Sequence, residues 1–347
     1  MSAADFARVI AAPARDRRDL FLTTAQRLGT PLGNVEKDFW VCWTIDALYH
    51  GLPPGGPRLL FKGGTSLSKA HGLIRRFSED IDVTVFRGDL GQPASVAELE
   101  ALSGRQRRAT LDAIRDACRA YVAGPLRDAL AARLEAATAG QGRVDVDPDD
   151  GDGQTLLVHY PAVEPAPGAY VRQAVRIESG AKSALDPHGP ATVRPYVADD
   201  LPGVDLAVPG VATIEAGRTF WDKVVIAHGL RRWFERRGAL RQEGQRVSRH
   251  YYDLHVLAGA AAGRAALGDP ALGADCVRHA RVFFDRPDFD LASARPGSYA
   301  VAPGDGMVDA LGRDYAQMAA MIFGPVPPFA DVLASLRRID DAVNTPG

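Results

Sequence analysis

Six consecutive residues constrain this chain more than any others: Asp80, Ile81, Asp82, Val83, Thr84 and Val85. Ile81, Val83 and Val85 alternate with Asp80, Asp82 and Thr84, and a period of two is that of a β-strand with its apolar set on one face. Both carboxylates then project from the other face. Two like charges this close repel, and one takes up a proton unless a cation relieves them. A divalent metal provides that relief. Mg²⁺ in particular takes a few carboxylates and completes its shell with substrate phosphate oxygens.

A second feature precedes this strand. The run FKGGTSLSK, from Phe61, places Gly63 and Gly64 before Thr65 and Ser66, with a helix predicted over 66–73. Glycine lets backbone N–H groups approach an anion closely, and a helix N-terminus adds the favourable end of its dipole. The hydroxyls of Thr65 and Ser66 add donors. The spacing is not that of a P-loop. Each half alone reads better as an ordinary glycine turn or as the acidic face of an edge strand, since both are common. Together they make a phosphate cradle and a metal-holding strand, the minimum kit for metal-assisted nucleotidyl transfer.

The 347 residues suffice for a sizeable core and two lobes. A formal net charge of −2 gives no global attraction to nucleic acid or to acidic membranes, so any polyanion site must be a local basic patch. Cys42, Cys118 and Cys276 are far apart, which excludes a disulfide framework and a CxxC metal knuckle and fits buried thiols in a reduced, cytoplasmic setting. No apolar run approaches the ~20 residues of a membrane span. Asp5, Asp16 and Asp19 interrupt the N-terminal apolar residues, so no signal peptide is expected.

The periodicities predict helices over 2–12 and 15–29, and another from an Asn34 cap to about Tyr49 with Val35, Phe39, Trp43 and Ala47 on one stripe. Strands are predicted at 58–61, 81–85, 143–146, 155–160 and 169–178, a long helix over 96–137, and loops or short strands over 186–210. Beyond residue 218 helical patterns dominate, over 218–237, 248–263, 270–284, 307–323 and 328–343. The expected architecture is α+β: a small mixed sheet flanked by helices over 1–215, then a helical lobe over 216–347.

The motifs, in their order, resemble one family. GGTSLSK and RFSEDIDVTV look like the AbiEii-type nucleotidyltransferase toxins, members of the polymerase-beta-like nucleotidyltransferase superfamily. Gly64-Thr65 stands where many relatives have Gly-Ser, a departure that keeps the hydroxyl. EKDFW at 36–40, IESGAKS at 177–183 (where relatives more often read EFGARS), RTFWDKVVIAH at 218–228, SRHYYDLHVL at 248–257 and DYAQMAAMIFG at 314–324 extend the resemblance over nearly the whole chain. It implies a nucleotidyltransferase fold, with Asp80 and Asp82 holding Mg²⁺ or Mn²⁺. Gly63, Gly64, Thr65, Ser66 and Ser78 would bind the nucleoside triphosphate (NTP). Lys223 would neutralise the triphosphate, and Asp253 matches the aspartate of the last motif. It further implies an RNA acceptor such as the 3′ end of tRNA, a cognate antitoxin, and a type IV toxin–antitoxin or phage-defence role.

Read without the resemblance, four features stay open. Lys223 lies between Phe220 and Val224, where a lone lysine usually marks a solvated face. Asp253, a poor helix former inside HYYDLHVL, is either catalytic or paired with Arg249 one turn earlier. Glu178 shares a strand face with Arg172 and Arg176, and is either a general base or the partner of Arg176. The arginines at 231, 232, 236, 237, 241, 246 and 249, with Glu235 and Glu243 among them, are either an RNA phosphate track or a solvated face. DVDPDDGDGQTL, from Asp145, resembles a calcium loop but has Asp150 where glycine is needed and Leu156 where the bidentate glutamate is needed, so it reads as an acidic hairpin. The spacing of His250 and His255 does not suit zinc. Two other functions fit the same residues: transfer to a protein or small-molecule hydroxyl, and nucleotide binding without turnover.

Overall fold

The structure is a computed structural model that describes residues 2–164, 173–241 and 246–345. The chain forms two compact units. One comprises Met1–His71, Phe77–Ala94 and Leu102–Ile214; the other comprises Gly72–Arg76, Ser95–Ala101 and Glu215–Gly347.

The first unit opens with α1 (Ser2–Ile10), α2 (Ala14–Leu28) and α3 (Leu32–His50). Asn34 does not cap α3. The helix starts after Pro31, and the Asn34 amide donates to Thr30 Oγ1 at 2.9 Å. The expected apolar stripe is also too narrow, because α3 is buried on every side from Asn34 to Leu48, with Glu36, Lys37 and Asp38 included. Buried charges must be paired, and the partners of Lys37 and Asp38 shape the site described below.

Strand β1 (Leu59–Lys62) runs directly into α4 (Gly63–Lys69), and β2 (Asp80–Val85) follows. Helix α4 therefore begins at the glycines, three residues earlier than predicted. The expected long helix over 96–137 is broken. Helix α5 (Val96–Ala101), which belongs to the second unit, is separated from α6 (Gly104–Tyr121) by Ser103. The Ser103 hydroxyl accepts from Gln106 N while the Gln106 side chain accepts from Ser103 N, a capping box that starts a new helix. A π-turn over Val122–Leu126 holds Pro125, whose missing N–H widens the ladder before α7 (Arg127–Thr138).

The remaining strands are β3 (Arg143–Val146), β4 (Thr155–His159), β5 (Ala174–Gly180), β6 (His188–Val193) and β7 (Val208–Ile214). The start of the strand predicted over 169–178, with Arg172, lies outside the described residues. The seven strands form one mixed sheet in the order β3-β4-β5-β2-β1-β7-β6. Strand β2 lies near its centre, antiparallel to β1 and parallel to β5. Ile81, Val83, Val85, Val175 and Ile177 are all 0% exposed, so β2 and β5 press one apolar face into the core. A strand so placed holds its outward carboxylates rigidly.

The second unit contains α8 (Ala216–Arg237), α9 (Arg249–Gly259), α10 (Ala261–Leu267), α11 (Pro270–Phe283), α12 (Asp305–Met318) and α13 (Phe329–Asn344). The segment Gly72–Arg76 is stitched into it: Phe323 N donates to Arg75 O at 2.8 Å, and Arg76 bridges to Ile322.

Candidate active site

The sheet register brings the acidic residues together. Lys62 pairs with Asp82, Asp82 with Glu178, and Glu178 with Thr155, so these four side chains form a row across β1, β2, β5 and β4. Asp80 pairs with Arg176 in the neighbouring row on the same face. Three carboxylates, Asp80, Asp82 and Glu178, thus share one face at the middle of the sheet. Lys62 Nζ lies 3.7 Å from Asp82 Oδ1.

The glycine turn is shaped around one of these carboxylates. Gly63 has φ of 77°, and a Cβ placed on it would lie 2.0 Å from Asp82 Oδ2 and 2.6 Å from Asp82 Cγ. Glycine is required here twice over, for the backbone conformation and for the space. The two halves of the sequence feature are therefore in contact: the turn forms the wall against which Asp82 rests. Gly63→Ala should displace Asp82, with an expected loss of transfer activity of about 100-fold and a stability cost of about 1–3 kcal/mol. Steady-state kinetics and thermal melts measure the two effects, and wild-type turnover in this variant would show that the close approach is unimportant.

The hydroxyls of this segment point inward. Thr65 and Ser66 are 0% exposed. Thr65 Oγ1 is hydrogen-bonded to Ser78 Oγ at 2.7 Å and donates to Asp80 O, while Ser66 Oγ donates to Gly63 O at 2.8 Å. Thr65, Ser66 and Ser78 thus tie the turn to the start of β2. In this arrangement their side chains fix the loop, and the loop backbone is what remains to meet an anion.

Helix α3 supplies two further anchors that the sequence reading did not assign. Lys37 Nζ pairs with Glu79 Oε2 at 2.8 Å, immediately before Asp80. Asp38 pairs with Lys69, the last residue of α4, and accepts from Tyr196 N at 2.7 Å; the Lys69 ammonium lies 3.1 Å from the centroid of the Tyr196 ring. The only sequence signal for these contacts is the charged triple in EKDFW.

Burial pushes the Asp80 carboxyl up to about 6; Glu79, Glu178 and Asp82 add to the rise and Lys37 opposes it. A carboxylate crowded this way favours a cation. Among the described residues no three His, Cys, Asp or Glu side chains form a metal cage. The donors fit Mg²⁺ all the same, because that ion binds through one or two carboxylates plus substrate oxygens. Asp80 and Asp82 would hold it.

Glu178 makes the pairing that was one of its two readings. Arg176 Nη1 donates to Glu178 Oε1 at 2.5 Å, and Arg176 Nε donates to Asp147 Oδ2 at 3.1 Å. The calcium-like segment does form a turn between the antiparallel strands β3 and β4. Its aspartates accept from backbone: Asp147 Oδ1 from Asp149 N, and Asp150 from Asp152 N and Gln154 N.

In the second unit, Lys223 is buried and does not lie on a solvated face. Its Nζ pairs with Asp253 Oδ2 at 2.8 Å. Asp253 is 0% exposed and accepts from Arg76 Nε at 2.8 Å and Arg76 Nη2 at 2.9 Å. The anticipated partner, Arg249, is replaced by Arg76, 177 residues earlier, whose guanidinium meets the carboxylate in the bidentate fork that suits a buried ion pair. Burial alone would raise the Asp253 carboxyl, but Arg76 and Lys223 outweigh it and hold it far below the usual carboxylate range. Burial pushes Lys223 down, with Asp253 opposing. Asp253 is therefore an acceptor of fixed charge, unsuited to taking up a proton near neutral pH.

The basic stretch is largely occupied. Arg231 and Arg232 pair with Glu235, Arg237 with Asp288, and Arg236 donates to Pro287 O. Arg241 stacks over Phe289 at 4.9 Å, and Arg246 donates to the Met321 sulfur. Glu243 lies outside the described residues. A phosphate track would have to use the outward faces of side chains already tied to their own unit.

The sequence profile of the nucleotidyl transferase AbiEii toxin family, of type IV toxin–antitoxin systems, matches residues 46–344. The chain belongs to this family. As an AbiEii-family protein it is a nucleotidyltransferase of a toxin–antitoxin system. A comparison with curated protein sequences finds no match. Among solved structures it is similar to MenT4, a nucleotidyltransferase toxin from Mycobacterium tuberculosis H37Rv, at 18% identity and a TM-score of 0.40, over 94% of this chain and 97% of that one. The AbiEii match spans the acidic strand face, Lys223 and Asp253. No helix among the described residues is long and apolar enough to cross a membrane.

Proposed function

We propose that this AbiEii-family protein transfers a nucleoside monophosphate from an NTP to the hydroxyl of an RNA acceptor, with the 3′ end of tRNA as the favoured substrate, in the cytoplasm. The observation that carries the reading is the packing of Gly63 against Asp82 on the strand that also carries Asp80. The turn and the carboxylates form one device in which the loop backbone meets phosphate oxygens beside a pair of metal-binding acids.

Asp80 and Asp82 would hold Mg²⁺, which when bound stabilises charge on the attacking and leaving oxygens. The residues do the rest. The backbone of Gly63 and Gly64 approaches the phosphates, and Thr65, Ser66 and Ser78 keep that backbone in place. Glu178 receives the proton of the acceptor hydroxyl. Lys223 supplies positive charge toward the β- and γ-phosphates, and Asp253 holds Lys223 in its charged form. Residues 1–215 are the catalytic domain in this reading and 216–347 the helical domain. A cognate antitoxin and a role in growth arrest or phage defence follow from the family.

The test incubates the protein with each radiolabelled NTP, total RNA and Mg²⁺, beside Asp82→Ala. Label on RNA from wild type, reduced at least 1,000-fold in the variant, is expected on an order-of-magnitude basis. Label on protein, or bound nucleotide with no label transferred, would overturn the RNA reading. Equal labelling by Asp82→Ala would overturn the site.

A further inference from the structure

The acidic hairpin between β3 and β4 lies outside the reaction just proposed, yet one of its aspartates is spent on the site face. Asp147 is 2% exposed. One of its oxygens accepts from Asp149 N at 3.1 Å and fixes the turn; the other accepts from Arg176 Nε at 3.1 Å. Asp147 N in turn donates to Thr155 O at 2.9 Å, and Thr155 is the register partner of Glu178. The second arm of the Arg176 guanidinium holds Glu178, which stands directly opposite Asp82.

We propose that Arg176, locked by Asp147, is the positioning residue that aims Glu178 at the acceptor hydroxyl. The inference rests on the transferase reading above. Three observations support it. First, the Arg176–Glu178 pair is 36% and 39% exposed, so as an isolated ion pair it would add little stability. A buried acid committed to such a pair gives it a fixed direction. Second, the bridge uses two different nitrogens of one planar guanidinium, a geometry that a lysine ammonium does not reproduce. Third, Asp80, Asp82 and Glu178 share one face, and Arg176 is the cation that stands in the row between Asp80 and that hairpin. Its positive charge offsets the repulsion of Glu178 by the two neighbouring carboxylates.

The chemical step is unchanged by this assignment. The acceptor oxygen bonds to the α-phosphorus, and the bond from that phosphorus to the β-bridging oxygen breaks with its electron pair on pyrophosphate. The hydroxyl proton passes to Glu178. Arg176 and Asp147 touch none of these atoms and act only through the direction in which Glu178 is held.

The test uses the full chain and the variants Asp147→Asn, Arg176→Gln, Arg176→Lys, Glu178→Gln and the Arg176→Gln/Glu178→Gln double. Expected are falls in kcat of about 10- to 100-fold for Glu178→Gln and both Arg176 variants, and about 3- to 10-fold for Asp147→Asn, with KM for NTP within about twofold throughout. The double variant should lose no more than Glu178→Gln alone, because the two residues act as one unit. A wild-type kcat in either Arg176 variant or in Glu178→Gln, or losses that multiply in the double, would overturn the proposal. A second readout does not depend on turnover. The side-chain carboxyl resonance of Glu178, in metal-free ¹³C-labelled protein at pH 7.5, should shift in Arg176→Gln and also in Asp147→Asn. An unmoved resonance in Asp147→Asn sinks the network, whereas a wild-type protein that labels no acceptor sinks the transferase reading instead.

Discussion

Asp80→Asn should leave the protein inactive and more stable at the same time. The sign follows from the carboxyl group being raised to about 6 in the folded chain from an ordinary value of 3.8. Between those two values the folded state binds more protons than the unfolded state, so stability falls as pH rises through that window. Above it, the metal-free protein carries a charged, crowded Asp80 at a net cost. Replacing the carboxylate with an amide of the same shape removes that charge beside Glu79, Asp82 and Glu178. The expected gain at pH 7.5 without divalent metal is about 1–2 kcal/mol, after allowance for partial solvent exposure. At pH 4.5 the gain should largely vanish, because wild-type Asp80 is then protonated. Transfer activity should fall by roughly three orders of magnitude or more. Adding Mg²⁺ should raise the melting temperature of wild type and leave that of the variant nearly unchanged. Melting curves at both pH values, with and without Mg²⁺, check all of this. A variant that is less stable than wild type at pH 7.5, or that retains turnover, would show that Asp80 is a structural acid. The opposed effects on stability and activity are what a site built to hold a cation should show.

The parts of this site that the sequence reveals are those set by local periodicity. The alternation at Asp80–Val85 places the strand, its buried face and its carboxylate pair, and the central position of β2 in the sheet agrees. The order of the motifs also identifies the family. What sequence spacing misses are ion pairs between distant segments. Arg76 and Asp253 are 177 residues apart, Lys37 and Glu79 are 42 apart, and Arg176 and Asp147 are 29 apart. Helical spacing instead offers Arg249 as the partner of Asp253, because a sequence displays directly only neighbours one helical turn or one strand repeat apart. The inward hydroxyls of Thr65 and Ser66 are hidden for a related reason. Helix α4 has 7 residues, too few for a period to say which side meets the core. The burial of Glu36, Lys37 and Asp38 shows only once α3 is seen to be enclosed.

Asp253→Asn tests the second unit in the same way, with a larger expected effect. Asp253 is a carboxylate that both Arg76 and Lys223 bond, and all three are buried. Its removal leaves two cations facing an amide, one of whose two oxygen positions becomes a donor. Breaking a buried ionic group by deleting one partner typically costs about 3–5 kcal/mol, and that is the loss expected in denaturant unfolding of the second unit. Because Asp253 is held far below its ordinary value, wild type keeps this contribution above the usual carboxylate range and loses it only as pH falls through the depressed folded value. The variant should therefore show a flatter dependence of stability on acid pH than wild type. Adding Lys223→Met to Asp253→Asn removes one unpaired buried cation and should recover about 1 kcal/mol or more, although Lys223→Met alone is destabilising. A loss below about 1 kcal/mol in Asp253→Asn, or a double variant worse than the sum of the singles, would mean the three residues do not form one unit. Activity separates the structural from the electrostatic part. If Asp253 acts by keeping Lys223 charged and placed, Asp253→Asn should raise KM for NTP more than it lowers kcat for the molecules that remain folded. A general base at this position would instead lower kcat at unchanged KM, and the depressed carboxyl argues against that role.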